Sequence, residues 1–106
     1  MPSNKKDAPP VQAMMDIDRM IHEPARLMIL TVLMLVESAD FLFVMKQTGL
    51  TRGNLSSHMS KLEEAGYIKV KKEFVKKIPR TLLSLTESGE KAYNKDREQM
   101  RQVLET

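Results

Sequence analysis

The sequence predicts a mostly α-helical domain with one small β-hairpin, and three observations carry that expectation. Apolar residues recur at helical spacing through the first two thirds of the chain, and the period then switches to two between Ile68 and Leu85. Gly49, Thr51, Gly66 and Thr86 supply start and stop signals where such elements would meet. The 106 residues, 42% hydrophobic and 29% charged, suit one folded domain rather than a disordered chain. So short a chain buries a limited share of its surface, which favours a homodimer. It contains no cysteine, which excludes disulfides, thiolate zinc sites and cysteine nucleophiles and points to a cytoplasmic location.

Residues 1–10, MPSNKKDAPP, hold two lysines with no apolar run after them. They read as a disordered tail rather than a signal peptide, leaving 11–106 as the domain. Residues 11–21 are expected to form a first helix, with Val11, Met14, Ile17 and Ile21 on one face. Pro24 suits the first turn of a second helix running to about Ser38. That segment is apolar nearly all round, the mark of a buried core helix. Its apolar run, Leu27 to Val36, falls well short of the roughly 20 residues that span a bilayer, so no membrane partner is expected. Asp40 is a fitting N-cap for a short third helix carrying Phe41, Val44 and Met45 and ending near Gly49.

Residues 51–65 form the most informative segment. Thr51 caps it, Gly66 stops it, and Leu55, Met59 and Leu62 make its inward stripe. The opposite face holds Gly53, Asn54, Ser56, Ser57, Ser60 and Lys61. Ile68, Val70 and Phe74 then fall on one parity, with Lys69, Lys71 and Glu73 on the other, which reads as a strand. Lys76–Pro79 read as a loop, and Arg80–Leu85 as a second strand with Leu83 and Leu85 inward. Thr86 caps a last helix, residues 87–105, with a thin stripe of Tyr93, Met100, Val103 and Leu104.

A short helix, a tight turn at Gly49-Leu50-Thr51 and a second helix make a helix-turn-helix unit, which presents its second helix to a DNA major groove. Glycine, serine and asparagine near that helix's start permit close approach, and the positive end of the helix dipole favours phosphate. Arg52, Asn54, Ser56 and Ser57 are the candidates for base edges or adjacent phosphates. Lys61, Lys76, Lys77 and Arg80 are the candidates for backbone phosphates. The whole chain carries only +3, yet Lys46 to Arg80 hold nine basic and three acidic residues, a net +6 that leaves −3 elsewhere. Charge so concentrated implies a polyanionic partner, double-stranded DNA.

The run FLFVMKQTGLTRGNLSSHMSKLEEAGYIKVKK, followed by KKIPRTLLSLTESGEKA, resembles the winged helix-turn-helix transcriptional regulators, nearest the small archaeal and bacterial ones of MarR and ArsR type. HEPARLMIL at 22–30 resembles that family's first core helix, so the resemblance covers about residues 22–92. It implies a dimeric, sequence-specific DNA-binding regulator. Residues 51–65 would be the recognition helix, 75–80 the wing tip, and the terminal helices the dimer interface, with Val11, Met14, Tyr93, Met100, Val103 and Leu104 as its candidate residues. The chain lacks the appended sensor domain of larger relatives and the cysteines of thiol sensors.

Other readings carry less. Nine methionines fit irregular core packing better than a ligand pocket. His58, on the flank of the inward stripe, reads as a half-buried structural residue ahead of a phosphate contact, and His22 as a helix-entry residue. Two separated histidines do not make a metal site, and no cofactor is expected. No phosphate-binding glycine loop, HExxH or GxSxG occurs, and Asp16/Asp18 and Glu63/Glu64 are spaced so as not to face one another on a helix. The chain therefore reads as a binding protein, not an enzyme. A protein-interaction winged helix and a switch with an effector at the dimer interface are the alternatives.

Overall fold

The computed structural model describes residues 17–105, ordered as α1 (Pro24–Leu35), β1 (Ala39–Asp40), α2 (Phe41–Thr48), α3 (Arg52–Glu64), β2 (Ile68–Val75), β3 (Ile78–Leu85) and α4 (Glu87–Leu104). Every helix begins on a residue whose side chain satisfies a free backbone N–H. Glu23 accepts from Arg26, Asp40 from Phe43, Thr51 from Asn54 and Thr86 from Gly89. Left-handed glycines follow α2 and α3, Gly49 at φ 73° and Gly66 at φ 80°. Gly49 closes α2 with an N–H to the Met45 carbonyl, 2.9 Å. The start and stop signals of the sequence thus act where expected.

The helices pack on a three-stranded antiparallel sheet of order β1-β3-β2. Ile21, Ile29, Leu30, Val44, Leu55, Leu62 and Leu83 are fully buried in one core, each contributing about 1.5–3 kcal/mol. β1 has only two residues, with Ala39 opposite Leu83 and Asp40 opposite Leu82; so short a strand has no period to read in the sequence. β2 and β3 pair along their whole length, from Ile68 opposite Leu85 to Val75 opposite Ile78.

Four sequence expectations require correction. Of the proposed helix 11–21, residues 17–18 are irregular and 19–21 form a turn: Asp18 caps Met20 N–H at 2.9 Å, and Ile21 and His22 bond back to its carbonyl. The remainder of that segment, with Val11 and Met14, lies outside the described residues. The second helix stops at Leu35 rather than Ser38, because the chain turns extended at Val36 to reach β1. That helix is also not buried all round: Ala25, Ile29, Leu30 and Leu33 face the core, while Met28 and Leu35 are exposed. The loop at 76–79 shrinks to Lys76-Lys77, both left-handed at φ 52° and 68°, with Ile78 and Pro79 already in β3. Phe74 keeps the parity of Ile68 but is 76% exposed, since the hairpin runs out past the core.

The segment before α1 is tied down by long-range polar contacts. Tyr67 Oη donates to Asp18 Oδ2 at 2.6 Å, Arg26 Nε donates to the Met20 carbonyl at 2.7 Å, and His22 pairs with Asp96 on α4. At the root of α4, Thr86 N–H donates to the Tyr67 carbonyl at 3.1 Å. A Cβ on Gly89 would lie 2.0 Å from that same carbonyl oxygen. Only glycine permits α4 to approach the chain entering β2 so closely.

Candidate nucleic-acid interface

α2, the Gly49–Thr51 turn and α3 form the helix-turn-helix. Leu55 and Leu62 anchor α3 in the core, which turns Arg52, Gly53, Asn54, Ser57, Ser60 and Lys61 to solvent. Ser56 is half-buried on the side facing the hairpin. A Cβ at Gly53 would meet nothing within 4 Å, so no internal contact requires a glycine there. The first turn of α3 contains no acidic residue, so nothing offsets the partial positive charge of its free N–H groups. Arg52 adds a full charge at that end, held with Cζ 5.5 Å from the centre of the Phe41 ring.

Across from α3 stands the hairpin. Between them lies an open cleft of about 600 Å³ lined from α3 by Arg52, Ser56 and Met59, from α2 by Phe41 and Leu42, and from the hairpin by Lys72, Pro79, Arg80 and Thr81. Lys69, Lys71, Lys72, Lys76 and Lys77 are exposed on the hairpin, and Lys72 is the one among them that lines the cleft. Lys71 lies 3.5 Å from Glu73.

Arg80 sits at the hairpin's outer third with its guanidinium 3.0 Å from Asp40 Oδ2, while Asp40 Oδ1 caps α2 through Phe43 N–H at 2.8 Å. The Phe43 N–H and the Arg80 charge hold the Asp40 carboxyl below the usual aspartate range, against the opposing effect of partial burial. Asp40 therefore joins α2 to the wing. The sequence showed the cap but not the pair, because its partner lies forty residues away.

His58 is half-buried on α3, its Nδ1 3.2 Å from Arg26 Nη1 and 3.7 Å from Glu23 Oε2. This is the structural reading of the residue: it couples α3 to the start of α1. Burial pulls the Glu23 carboxyl upward, yet the backbone N–H groups of Arg26 and Ala25, with the His58 ring and the Arg26 guanidinium nearby, bring it below its ordinary value.

Of the candidate interface residues on α4, Tyr93 is half-buried against α1, its Oη 2.7 Å from Thr31 Oγ1. Met100 and Val103 are half-buried and Leu104 is 77% exposed. Among the described residues no three His, Asp or Glu side chains converge as metal ligands, and no helix is long and apolar enough to cross a membrane.

A capped helix-turn-helix with an exposed polar second helix, beside a lysine-rich antiparallel hairpin, defines a winged-helix DNA-binding fold. The chain belongs to the winged helix DNA-binding domain family, whose model matches residues 25–104. It is 32% identical over 75 residues to an uncharacterised protein of Methanocaldococcus jannaschii, covering 71% of this chain and 82% of that one. A transcriptional regulator homologue from Pyrococcus horikoshii superposes with a TM-score of 0.83 at 28% identity, over 89% of this chain and 95% of that chain. PcaV, a transcriptional regulator of Streptomyces coelicolor solved with its natural ligand, shares the fold at a TM-score of 0.73 and 18% identity, over 90% of this chain and 66% of PcaV. Solved regulators of the MarR family share this fold at 14% and 17% identity.

Proposed function

We propose that this chain is a cytoplasmic, sequence-specific regulator that binds double-stranded DNA as a homodimer and represses transcription by excluding polymerase from a pseudo-palindromic operator. One observation carries the reading: the exposed N-terminal half of α3, free of acidic residues, and the lysine-bearing hairpin flank one open cleft. A duplex seated there receives α3 in the major groove and the hairpin against the backbone. Arg52, Asn54, Ser56 and Ser57 address base edges or adjacent phosphates, and Lys61, Lys76 and Lys77 address phosphates. Arg80 serves the same surface from its pair with Asp40, which fixes the wing relative to α2. α4, with Met100, Val103 and Leu104, supplies the dimer contact together with the outer face of α1, where Met28 and Leu35 are exposed. The chemistry offered is charge and hydrogen bonding to a polyanion, which suits binding without catalysis.

The test is fluorescence anisotropy of the purified protein on two labelled duplexes across a salt series, one carrying the DNA upstream of its own gene and one scrambled. The reading expects steeply salt-dependent binding with a preference of about a thousandfold for the upstream duplex. Absence of binding to either duplex at low salt refutes it.

A further inference from the structure

We propose that Phe74, near the tip of the hairpin, is an apolar wedge that enters the minor groove beside each half-site and unstacks one base step. This rests on the DNA-binding reading above and adds to it a residue that reads deformability rather than base edges.

Three features lead there. Phe74 is 76% exposed and stands opposite Pro79 in the ladder. It shares a sheet face with Val70 and Lys72, and Lys72 and Pro79 line the cleft that α3 lines from the other side. Phe74 therefore projects from the cleft-facing side of the hairpin, about 6–7 Å beyond Lys72. The core ends near Leu83, so folding leaves this ring without a packing role. Its surroundings are cationic: Lys72 below it and Lys76 and Lys77 in the turn above. An apolar tip within a lysine collar suits a polyanion that also offers stacked apolar surface, which describes a DNA groove. The minor groove, about 6 Å wide, excludes a two-stranded ribbon but admits a single side chain. The support is stiff as well, since pairing continues to Val75 opposite Ile78 and only two residues turn the chain.

The experiment uses the full chain and duplexes recovered from a random pool by its own binding. A fluorescent adenine analogue, quenched when stacked, is placed singly at each step flanking the half-sites. Wild type should raise fluorescence severalfold at one step per half-site. Phe74→Ala should abolish the rise and weaken binding about tenfold, while Phe74→Leu keeps part of both. Wild-type binding with no rise at any flanking step, or a full rise with Phe74→Ala, overturns the wedge. So does a change of oligomeric state on Phe74→Ala in sedimentation, which would make the tip a contact between copies. If wild type recovers no duplex at all, the DNA-binding reading itself fails and takes the wedge with it.

Discussion

His22 Nδ1 lies 3.0 Å from Oδ1 and 3.1 Å from Oδ2 of Asp96, joining residues 74 positions apart. Asp96 is 4% exposed and the His22 side chain 32% exposed, so the carboxylate depends on this imidazole while the imidazole retains access to water. Removing the histidine should therefore do more harm than softening the acid. His22→Ala is expected to cost about 1–3 kcal/mol by leaving a buried carboxylate without its partner. Asp96→Asn keeps an acceptor at the same place and should cost less than half as much. Urea denaturation of the two variants checks the order, and equal losses would contradict it.

Asp40 joins a helix cap to an ion pair, and two substitutions separate them. Asp40→Ala removes both and should cost about 1–2 kcal/mol at neutral pH. Asp40→Asn keeps a cap acceptor and loses only the half-exposed pair with Arg80, about 0–1 kcal/mol. The carboxyl is depressed in the folded chain, so its contribution is present above the unfolded value of about 3.9 and is lost as pH falls through the lower folded value. The stability gap between wild type and Asp40→Asn should close below about pH 3.9, as followed by thermal melts across an acid series.

Tyr67 gives a signal at the other end of the scale. Its hydrogen bond to Asp18, with burial and the carboxylate's charge added, raises the phenol to about 12. A raised folded value means that stability from this contact is intact below the unfolded value of about 10 and is lost as pH climbs toward the folded one. The chain has two tyrosines. Spectrophotometric titration should show one phenolate appearing late, and Asp18→Asn should bring that titration earlier.

Gly53 occupies open space on α3, so Gly53→Ala should stabilise the fold by up to about 1 kcal/mol. The added methyl group would stand between α3 and a base edge. The expected result is a higher melting temperature with weaker DNA binding. Asn54→Ala beside it should relax preference at one base position, worth about 1–3 kcal/mol if its contact is bidentate. Gain in both stability and affinity for Gly53→Ala would remove this face from the DNA.

Lys76 and Lys77 hold a left-handed backbone that asparagine and glycine adopt more readily. Replacing the pair with Asn-Gly should stabilise the hairpin by about 1 kcal/mol and reduce the slope of log affinity against log salt by about two per protomer. Lys77→Ala alone should flatten it by about one unit per protomer. An unchanged slope would exclude the turn from phosphate contact.

What the sequence revealed and what it hid divide along one physical line. Caps and left-handed glycines act within four residues, so Asp40, Gly49, Thr51, Gly66 and Thr86 could be placed from local chemistry, and with them the helix-turn-helix and the start of α4. Alternation told which way Phe74 points but not whether a core extends that far. Apolarity of Met28 and Leu35 likewise said nothing of which face of α1 is covered. The pairs His22–Asp96, Tyr67–Asp18 and Asp40–Arg80, and the short strand β1, arise between distant segments and leave no periodic trace. The Lys76-Lys77 turn was hidden for another reason: neither residue is one that the backbone there prefers.

The absent side chain of Gly89 bears on how such a regulator changes over time. α4 leaves the domain in a direction fixed by main chain against main chain at Tyr67, a clash no rotamer can relieve. In the proposed dimer that direction sets how far apart the two copies of α3 are carried. Under that proposal the residues that would choose bases lie on α3, while the residue that would set the interval between the chosen bases lies at the root of α4. Vocabulary and spacing can therefore drift separately: a lineage can acquire new target words through Asn54 or Ser57 while keeping the old interval, for as long as position 89 stays bare.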